Sequence, residues 1–494
     1  MKIKHLLILL LFITGPVALM QAQQYKILRS AEKDFLGIYP LTDMEKEDVY
    51  GFLSVSKSVK PANKMEKLYY TVLDRNLNPM IKGVIDEPVR HKKSQLKVTD
   101  ISYSNEKIFL ILEEYIVQVT RYGTYNEHIL THFIMLDIPS NKILLRQIAE
   151  NNFTIQGNKI VKIKGKGRGK IDRVVSWPAR DGFLVYANYF EPSGVKMVYG
   201  YVFYDMKGKK QWEKWIEYAK IFKKTSNAEV LMGIHGDYFF AMYAPLNPQK
   251  NPVFELRARS LKTGDLLGKK QLSMKPGYKG EISFWKVDHG TIIISGRYRD
   301  AQRKKSDRWA GIYRNVHVWD GKEFKNTLFQ FLPYTQMPVP GINEFGKVKG
   351  EGDLVMEEME WLPGKEMLLV GQAEKGYSTY SVFVMITDPD FKVVRFKAYK
   401  FLGADYSHYR FTHPLQNDEG RFVVIKNRDK HNAIYRIVKY YFDSKNLEEK
   451  VLKFDRHKKE IRMYPAKKGY VLISEYYPKA RKGEKRYIFY LQKI

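Results

Sequence analysis

The chain has 494 residues, of which 44% are hydrophobic and none is cysteine. This composition allows a large folded core, and it excludes disulfide bonds, lipid attachment through cysteine and thiol catalysis. The formal net charge of +30 favours anionic partners such as acidic polysaccharide, lipopolysaccharide or a membrane surface, unless the lysines serve only to solvate exposed strand faces.

The N-terminus has the pattern of a signal peptide. Lys2 and Lys4 precede an apolar run from Leu6 to Ile13, which is followed by a polar exit. The run is too short to span a membrane comfortably, and no other stretch of the chain qualifies. We therefore expect residues 1–22 to be a cleaved signal peptide and residues 23–494 to form a single exported domain. Its destination would be the periplasm, the outer envelope surface or the extracellular space.

A four-stranded plan repeats along the chain at intervals of about 50 residues. It is clearest from Arg173 to Trp215, where four apolar runs are separated by turns and one loop. Its first half, an apolar strand, a tight turn and a dense apolar strand, recurs seven times, beginning at Ile101, Ser176, Leu231, Ile282, Met359, His413 and Ile461. Repeated antiparallel meanders of this length favour the blades of a β-propeller.

The third strand of most units ends in a turn that an aspartate opens. The residues at this place are Asp74, Asp137, Asp205, Asp320, Asp388 and Asp443, with Ser260 in one unit. The side chain of such a residue can accept a hydrogen bond from the backbone two residues further on. Seven near-equivalent positions indicate a structural role rather than a single active site.

The number of units predicts how the ring closes. Ahead of the seven copies lies an eighth unit with strands near Gly51, Leu68 and Met80. The last copy ends without a fourth strand, which Tyr25–Leu28 could supply, while Phe35–Pro40 could open the first unit. Sharing one blade between the two ends of the chain would remove exposed sheet edges. We predict an all-β propeller of eight four-stranded antiparallel blades, with seven blades as the alternative.

Two long intervals between copies predict insertions near residues 151–170 and 333–352. The first contains a basic, glycine-rich segment, which is either an anion-contacting loop or a flexible loop without a ligand. Its candidate binding residues are Lys162, Lys164, Lys166, Arg168 and Lys170. The second insertion is apolar, and its exposed residues would need to be covered. It is expected either to fold as a lid over one end of the central channel or to dock against a partner. The apolar residues are Met337, Val339, Ile342 and Phe345.

A second candidate binding segment lies in the fifth unit, between its second and third strands. It interleaves basic and aromatic residues, namely Arg297, Tyr298, Arg299, Arg303, Arg308 and Trp309. Such a mixture can grip anionic groups and stack on planar rings. The alternative is an ordinary exposed hairpin loop.

No metal or cofactor site is expected. His128 and His132 are four residues apart, which suits a metal ion on a helix, but the flanking residues predict a strand. The two side chains would then lie roughly 13 Å apart, too far for one ion.

Catalytic residues are not assigned by the sequence. A glycoside hydrolase needs two carboxylates about 5–9 Å apart, and the candidates are Glu113 with Glu114, Glu191, and Glu357 with Glu358.

The exported, cysteine-free, tyrosine-rich meander repeat resembles uncharacterised bacterial secreted β-propeller proteins. The resemblance covers nearly the whole chain after residue 22 and rests on the pattern of strands and turns. It departs from the named propeller types: Trp319-Asp320 is a WD pair without the partners that WD40 repeats have, and neither a kelch double glycine nor a sialidase box is present. The resemblance therefore transfers no catalytic residue.

We expect a non-enzymatic, monomeric binding protein that uses one face of the propeller. The expected partner is an anionic glycan or an envelope protein, and nucleic acid is not expected. The alternative is a glycan-active or other hydrolase with carboxylates at the mouth of the channel, and a third possibility is an envelope scaffold without a small ligand. A cluster of carboxylates with raised pKa at that mouth would favour the hydrolase.

Overall fold

The described residues of the computed structural model form eight antiparallel sheets arranged as the blades of a propeller. Each blade has four antiparallel strands. The sixth blade also has a short fifth strand, which pairs with its innermost strand. The structure describes residues 24–30, 32–42, 48–59, 64–90, 94–120, 123–149, 153–156, 159–162, 170–190, 197–217, 227–245, 254–301, 308–376, 378–405, 409–428 and 431–494.

The first four blades follow the chain in order. Blade 1 consists of β2 Lys33–Thr42, β3 Val49–Ser58, β4 Met65–Asp74 and β5 Pro79–Pro88. Blade 2 consists of β6 Gln95–Ser104, β7 Lys107–Thr120, β8 Gly123–Asp137 and β9 Lys142–Ala149. After a hairpin of β10 Phe153–Gln156 and β11 Lys159–Lys162, blade 3 consists of β12 Lys170–Ala179, β13 Gly182–Phe190, β14 Met197–Asp205 and β15 Lys210–Glu217. Blade 4 consists of β16 Asn227–His235, β17 Tyr238–Pro245, β18 Phe254–Ser260 and β19 Leu266–Leu272.

The remaining blades continue the series. Blade 5 consists of β20 Tyr278–Asp288, β21 Thr291–Asp300, β22 Gly311–Trp319 and β23 Phe324–Pro333. Blade 6 consists of the short β24 Lys347–Val348, then β25 Gly352–Trp361, β26 Met367–Lys375, β27 Ser378–Thr387 and β28 Val393–Asp405. Blade 7 consists of β29 Tyr409–Pro414, β30 Gly420–Arg428, β31 Asn432–Tyr441 and β32 Leu447–Asp455. Blade 8 consists of β33 Glu460–Pro465, β34 Tyr470–Tyr476, β35 Lys485–Lys493 and β1 Gln24–Leu28 from the start of the chain. Three single-turn 3₁₀ helices lie at Tyr334–Gln336, Pro363–Lys365 and Gln416–Asp418.

The closure of the ring confirms the prediction from the sequence. Strand β1 pairs antiparallel with β35, with Gln24 opposite Tyr490, so the two ends of the chain share blade 8. Strand β2 opens blade 1 over the residues expected for it. The eight-blade prediction is confirmed, and the seven-blade alternative is wrong.

Hydrophobic clusters fill the junctions between blades. The buried residues form eight clusters, and each one joins two neighbouring blades of the described chain. The last cluster joins blade 8 to blade 1 through Phe489, Leu472, Phe52 and Val49, all of which are at most 1% exposed. Dense apolar strands therefore bury both faces of each sheet, and burial of this kind is the main stabilising term of the ring.

The first strand of each blade lies innermost, beside the first strands of the neighbouring blades. In blades 1 to 7 this strand is interrupted part-way along by a β-bulge. A bulge leaves a residue unpaired and redirects its side chain. In blades 6 and 7 the extra residues are Glu357 and Arg410, so these two charged groups leave the regular alternation of the strand beside the channel.

The two faces of the propeller differ in their connections. One face, which we call the turn face, carries short hairpin turns and the predicted aspartate turns. In these turns a side-chain oxygen accepts backbone N–H groups, as in Asp205 with Lys207 and Lys209 at 2.9 Å each. Equivalent bonds occur at Asp74, Asp137, Ser260, Asp320 and Asp388, whereas Asp443 makes none among the described residues. The prediction of a structural role is confirmed for those six positions.

The opposite face, which we call the loop face, receives the long connections. Both predicted insertions join the last strand of one blade to the first strand of the next at this face. The first insertion contains the β10–β11 hairpin, which the sequence did not predict. The second packs into the junction of blades 5 and 6, where Met337 and Val339 are each 4% exposed. This burial supplies the cover that its apolar residues need, so neither a lid position nor a partner is required to bury them, and the lid over the channel stays a prediction.

Candidate functional site

None of the candidate residues of the first insertion has a side chain in the described part of the structure. Lys164, Lys166 and Arg168 lie outside the described residues altogether. Lys162 ends β11 and Lys170 begins β12, and only their backbone is described. Their role in binding an anion stays a prediction.

The basic and aromatic residues of blade 5 are separated by the alternation of a strand. Arg297 and Arg299 point to one side of β21, where both flank the ring of Trp309 at 4.7 and 5.6 Å from its centroid. Tyr298 points to the other side, is 5% exposed, and packs 4.4 Å from the ring of Phe331. The sequence suggested one interleaved surface, whereas the strand divides it between two blade junctions.

The cations on this side are engaged by groups of the protein. Arg297 Nη2 donates to Glu281 Oε2 at 3.0 Å, and Arg308 lies 4.9 Å from the ring of Phe345 in the second insertion. Arg303 lies outside the described residues. Arg297 and Arg299 therefore come together at Trp309, and the contact of the adjacent Arg308 with Phe345 joins the second insertion to blade 5.

A pocket of about 590 Å³ at the junction of blades 7 and 8 has the most basic lining of the cavities described, and we call it the basic pocket. Its cations come from four places in the chain, and two of them, Arg410 and Arg462, come from innermost strands. It therefore borders the central channel at the loop face. Its charged and aromatic residues are Arg410, Lys426, Tyr435, Arg456, Glu460, Arg462 and Tyr464.

Backbone features position two of the cations, and a ring contact involves a third. Arg410 is the bulge residue of β29, which turns it out of the strand pattern. Arg456 follows β32, and its backbone N–H donates to the carbonyl of His431 at 2.8 Å. Lys426 Nζ lies 5.8 Å from the ring centroid of Tyr435. The pocket thus depends on residues that the ring closure and blade packing bring together.

Tyr435 forms the floor of the basic pocket. It is 1% exposed, and its hydroxyl donates to the carbonyl of Ile461 at 3.1 Å. Burial raises the pKa of Tyr435 to about 12, against the opposing effect of Arg410, Arg462 and Arg456. The hydroxyl is therefore neutral at ordinary pH and is not a base.

Two of the four cations that line the basic pocket have no described counter-charge. Among its lining residues the only carboxylate is Glu460, which approaches Arg462 at 3.6 Å on the exposed rim. Within the described residues, neither Arg410 nor the Arg456 guanidinium has an ion-pair or hydrogen-bond partner. Like charges that line one pocket repel one another, and an anion entering the pocket would be attracted by several cations at once.

The sequence-predicted carboxylates fall in different environments. Glu114 is fully buried, where it accepts the backbone N–H of Arg90 at 2.8 Å and contacts His132 at 3.3 Å. The other ring nitrogen of His132 lies 2.8 Å from Glu87. Glu114 and Glu113 are neighbours on one strand and thus point to opposite faces, and Glu191 lies outside the described residues.

Glu358 is the carboxylate nearest in character to a catalytic acid. Burial, then repulsion from Glu360, raises the pKa of Glu358, while the Tyr409 hydroxyl donates to its Oε2 at 2.9 Å. Burial, then Glu357, also raises the pKa of Glu374, one strand away. Blade 6 thus presents two carboxyl groups that hold protons more readily than usual, one of them on an innermost strand.

No metal-ligand cluster of three or more His, Cys, Asp or Glu occurs in the described part of the chain. His132 is held between two carboxylates, which favour its protonated form. Burial alone would lower the pKa of His132, but the hydrogen bonds that Glu114 and Glu87 accept from its ring outweigh it and raise that pKa above 6.5. This trio is a charged junction of blades 1 and 2.

Sequence reasoning missed the basic pocket. A basic run at Lys453–Lys459 was visible in the sequence, and it contains Arg456. Arg410 and Arg462 gave no signal, because a single arginine in a strand is unremarkable until the bulge and the blade order are known.

Comparisons with known proteins agree with the fold and add nothing about activity. No protein-family model and no curated protein matches this sequence. Among solved structures, the chain is similar to the WD40 domain of SCAP from fission yeast, with 9% identity, a TM-score of 0.43, and coverage of 96% of this chain and 98% of that one.

Two further similar structures are named as enzymes. Polysaccharide lyase Uly1 shows 9% identity and a TM-score of 0.41, with coverage of 80% of this chain and 89% of that one. Prolyl oligopeptidase B from Galerina marginata shows 8% identity and a TM-score of 0.41, and the match spans 90% of this chain but 55% of that chain. Likenesses this remote concern the propeller architecture alone.

The structure bears on one membrane question. Within the residues that are described, it has no helix with the length and apolar character that crossing a bilayer requires.

Proposed function

We propose that this protein is a binding module that holds an anionic group of a glycan in the basic pocket between blades 7 and 8. The observation that carries the proposal is the lining of that pocket, in which four cationic side chains face one exposed carboxylate. Two guanidinium groups without a protein partner offer paired N–H donors that match carboxylate and sulfate oxygens. The net charge of +30 attracts such a ligand from a distance.

A glycan suits this pocket better than an isolated small anion. The cavity of about 590 Å³ falls within the size range of sites for ligands larger than a single ion. Tyr435 and Tyr464 give it aromatic surface beside the cations, on which the apolar face of a sugar ring can pack. The signal peptide expected in residues 1–22 would bring the protein to envelope or extracellular polysaccharides.

Equilibrium binding to three polymers tests this proposal. Purified protein is titrated with polygalacturonate, dextran sulfate and neutral dextran, and the variants are Arg456→Ala, Arg410→Ala and the matched control Arg75→Ala. Arg75 is exposed on the turn face, so its loss changes the net charge equally without touching the pocket. Losing one charged hydrogen-bonding group should weaken binding about 10-fold or more.

The outcomes separate cleanly. Binding to an acidic polymer that falls in both pocket variants and survives in Arg75→Ala supports the proposal. Equal binding by all four proteins would place the contact elsewhere, and binding to neutral dextran alone would remove the role of charge.

The second candidate function is hydrolysis of a glycan, and the raised pKa of Glu358 beside the channel favours it. A protonated carboxyl group can act as a general acid on a leaving oxygen. The same titrations therefore include a measurement of released reducing ends and unsaturated ends. Product released by the wild type but not by Glu358→Gln would make the protein an enzyme, and product formation that survives this substitution would exclude Glu358 as the acid.

A further inference from the structure

A second cavity, of about 310 Å³, lies between blades 4 and 5 at the loop face, and we call it the aromatic cavity. The connection from β19 to β20 forms one wall, and the facing sides of β20, β21 and β22 form the other. Its lining differs from that of the basic pocket, because it contains no carboxylate and its cations are Lys275 of the connection and Lys279 of β20. Its lining includes Gln271, Tyr278, Tyr313 and Asn315.

Aromatic side chains give the cavity a rigid, flat wall. Tyr313 stacks on Phe329 at 5.7 Å between ring centroids and 4° between planes. At the mouth, Tyr278 is 40% exposed and packs 4.8 Å from Phe331. Lys275 Nζ lies 5.4 Å from the Phe331 centroid. The rings support one another from behind, so a ligand meets a prearranged surface and little ordering is required on binding.

Polar groups inside the cavity have hydrogen-bonding capacity to spare. Tyr313 is 3% exposed and Asn315 is 4% exposed, yet within the described residues the Tyr313 hydroxyl has no hydrogen-bond partner. Asn315 Oδ1 accepts from Asn326 Nδ2 at 2.8 Å, which leaves the Asn315 amide N–H groups without a described acceptor. Gln271 is exposed at the mouth, and its side chain likewise makes no described hydrogen bond. Because these three groups make no described hydrogen bond with the protein through their free donors and acceptors, they can bind the hydroxyls of a ligand in the cavity.

The protonation of the site is settled by its surroundings. Burial, then the nearby Glu281 carboxylate, raises the pKa of Tyr313. Its hydroxyl therefore stays neutral and can donate to a ligand oxygen. A negatively charged ligand is not required, because the interior groups are amides and hydroxyls.

We propose that the aromatic cavity is a second ligand site, which takes one neutral sugar ring. A pyranose presents an apolar face of C–H groups to Tyr278 and hydroxyls to Tyr313, Asn315 and Gln271. This site is separate from the basic pocket and would exist even if that pocket bound nothing. A nucleobase could also stack on Tyr278, but it carries few hydroxyls for the interior groups.

Saturation-transfer NMR on the whole protein tests this site. The probes are the methyl glycosides of glucose, galactose, mannose and rhamnose, together with N-acetylglucosamine, and adenosine serves as the comparator. About 0.5 M NaCl suppresses contacts that depend on surface charge. The variants are Tyr278→Ala, whose side chain is already part-exposed, and Tyr313→Phe, which removes a single oxygen. Tyr50→Ala is the control, since Tyr50 is a 52% exposed aromatic residue of blade 1.

The expected result is transfer to the ring protons of at least one sugar in high salt, retained in Tyr50→Ala. Affinity should fall roughly 10-fold in Tyr278→Ala, as for a lost stacking platform, and about 5-fold in Tyr313→Phe, as for one lost hydrogen bond. The proposal is overturned if none of the sugars shows saturation transfer. It is also overturned if transfer is unchanged in both cavity variants, or if it occurs with adenosine alone.

Discussion

Replacing Glu229 with glutamine should destabilise the propeller strongly, because this carboxylate ties blade 4 to blade 3. Glu229 lies at the start of β16 and is fully buried. It accepts from Arg257 Nη1 at 2.6 Å, from Arg259 Nε at 2.8 Å and from the hydroxyls of Tyr199 and Tyr201 at 3.2 and 3.0 Å. The Tyr186 hydroxyl also donates to its backbone carbonyl at 2.8 Å.

The magnitude follows from what the substitution leaves behind. Burial alone would raise the pKa of Glu229, but Arg259 and then Arg257 outweigh it, so this pKa is lowered and the group is ionised in the folded protein. Glutamine keeps the volume, yet it leaves Arg259 without its counter-charge, leaves Arg257 with Glu255 alone, and turns an NH₂ group toward donors. Removing one partner of a buried ion pair costs about 3–5 kcal/mol. A chain of this length loses roughly 1 kcal/mol per degree near its melting temperature, so Tm should fall by about 3–5 °C.

Differential scanning calorimetry measures this effect against a matched control. Glu213→Gln removes the same charge from an exposed pair with Lys210 at 2.7 Å, and it should lower Tm by about 1 °C or less. Because the pKa of Glu229 is lowered in the folded state, its contribution is present above pH 4.5 and is lost as the pH falls through the folded value. A Tm for Glu229→Gln equal to that of Glu213→Gln at neutral pH would refute this reasoning.

Three further predictions concern stability. His132→Gln should flatten the dependence of Tm on pH from 6.5 upward. The pKa of His132 is raised in the folded protein, so its contribution to stability is complete below pH 6.5 and is lost as the pH rises through the folded value. Parallel curves of Tm against pH for the variant and the wild type would contradict this. Gly296→Ala should lower the free energy of unfolding by about 1–3 kcal/mol or prevent folding, because an added Cβ would lie 1.7 Å from the Glu281 carbonyl oxygen beside the bulge of β20. A denaturation midpoint equal to that of the wild type would show that the backbone at this bulge can move to accept a side chain. Asp205→Ala should lower the free energy of unfolding by about 1–2 kcal/mol, since two backbone N–H groups lose their acceptor. Asp443→Ala should leave it nearly unchanged. Equal effects of the two substitutions in urea denaturation would contradict a structural role for the turn aspartates.

The architecture could be predicted because each blade repeats the same local signals. Apolar runs of strand length, separated by turn residues, define the meanders, and the unpaired last copy predicts its partner at the other end of the chain. The structure confirms this with β1 beside β35. Such signals are local, so the residues that carry them are close in sequence.

The candidate site could be predicted only in part, because it depends on pairings that are not local. Arg410 and Arg462 belong to different blades, and a bulge that no residue pattern marks redirects the first of them. In blade 5 the run of Arg297, Tyr298 and Arg299 suggested one surface, but strand alternation sends the tyrosine to the opposite junction. The apolar second insertion suggested a lid because the sequence does not show that blades 5 and 6 leave a space for it to fill.

The salt dependence of binding is the most direct test of an anionic ligand in the basic pocket. The affinity of the protein for one sulfated oligosaccharide would be measured by isothermal titration calorimetry over a range of NaCl concentrations, for the wild type and for Arg456→Ala. The account predicts a steep fall of log K with log salt, with a slope that becomes smaller by about 1 when this single cation is removed. An affinity that does not change with salt, or a slope that is the same in both proteins, would contradict it.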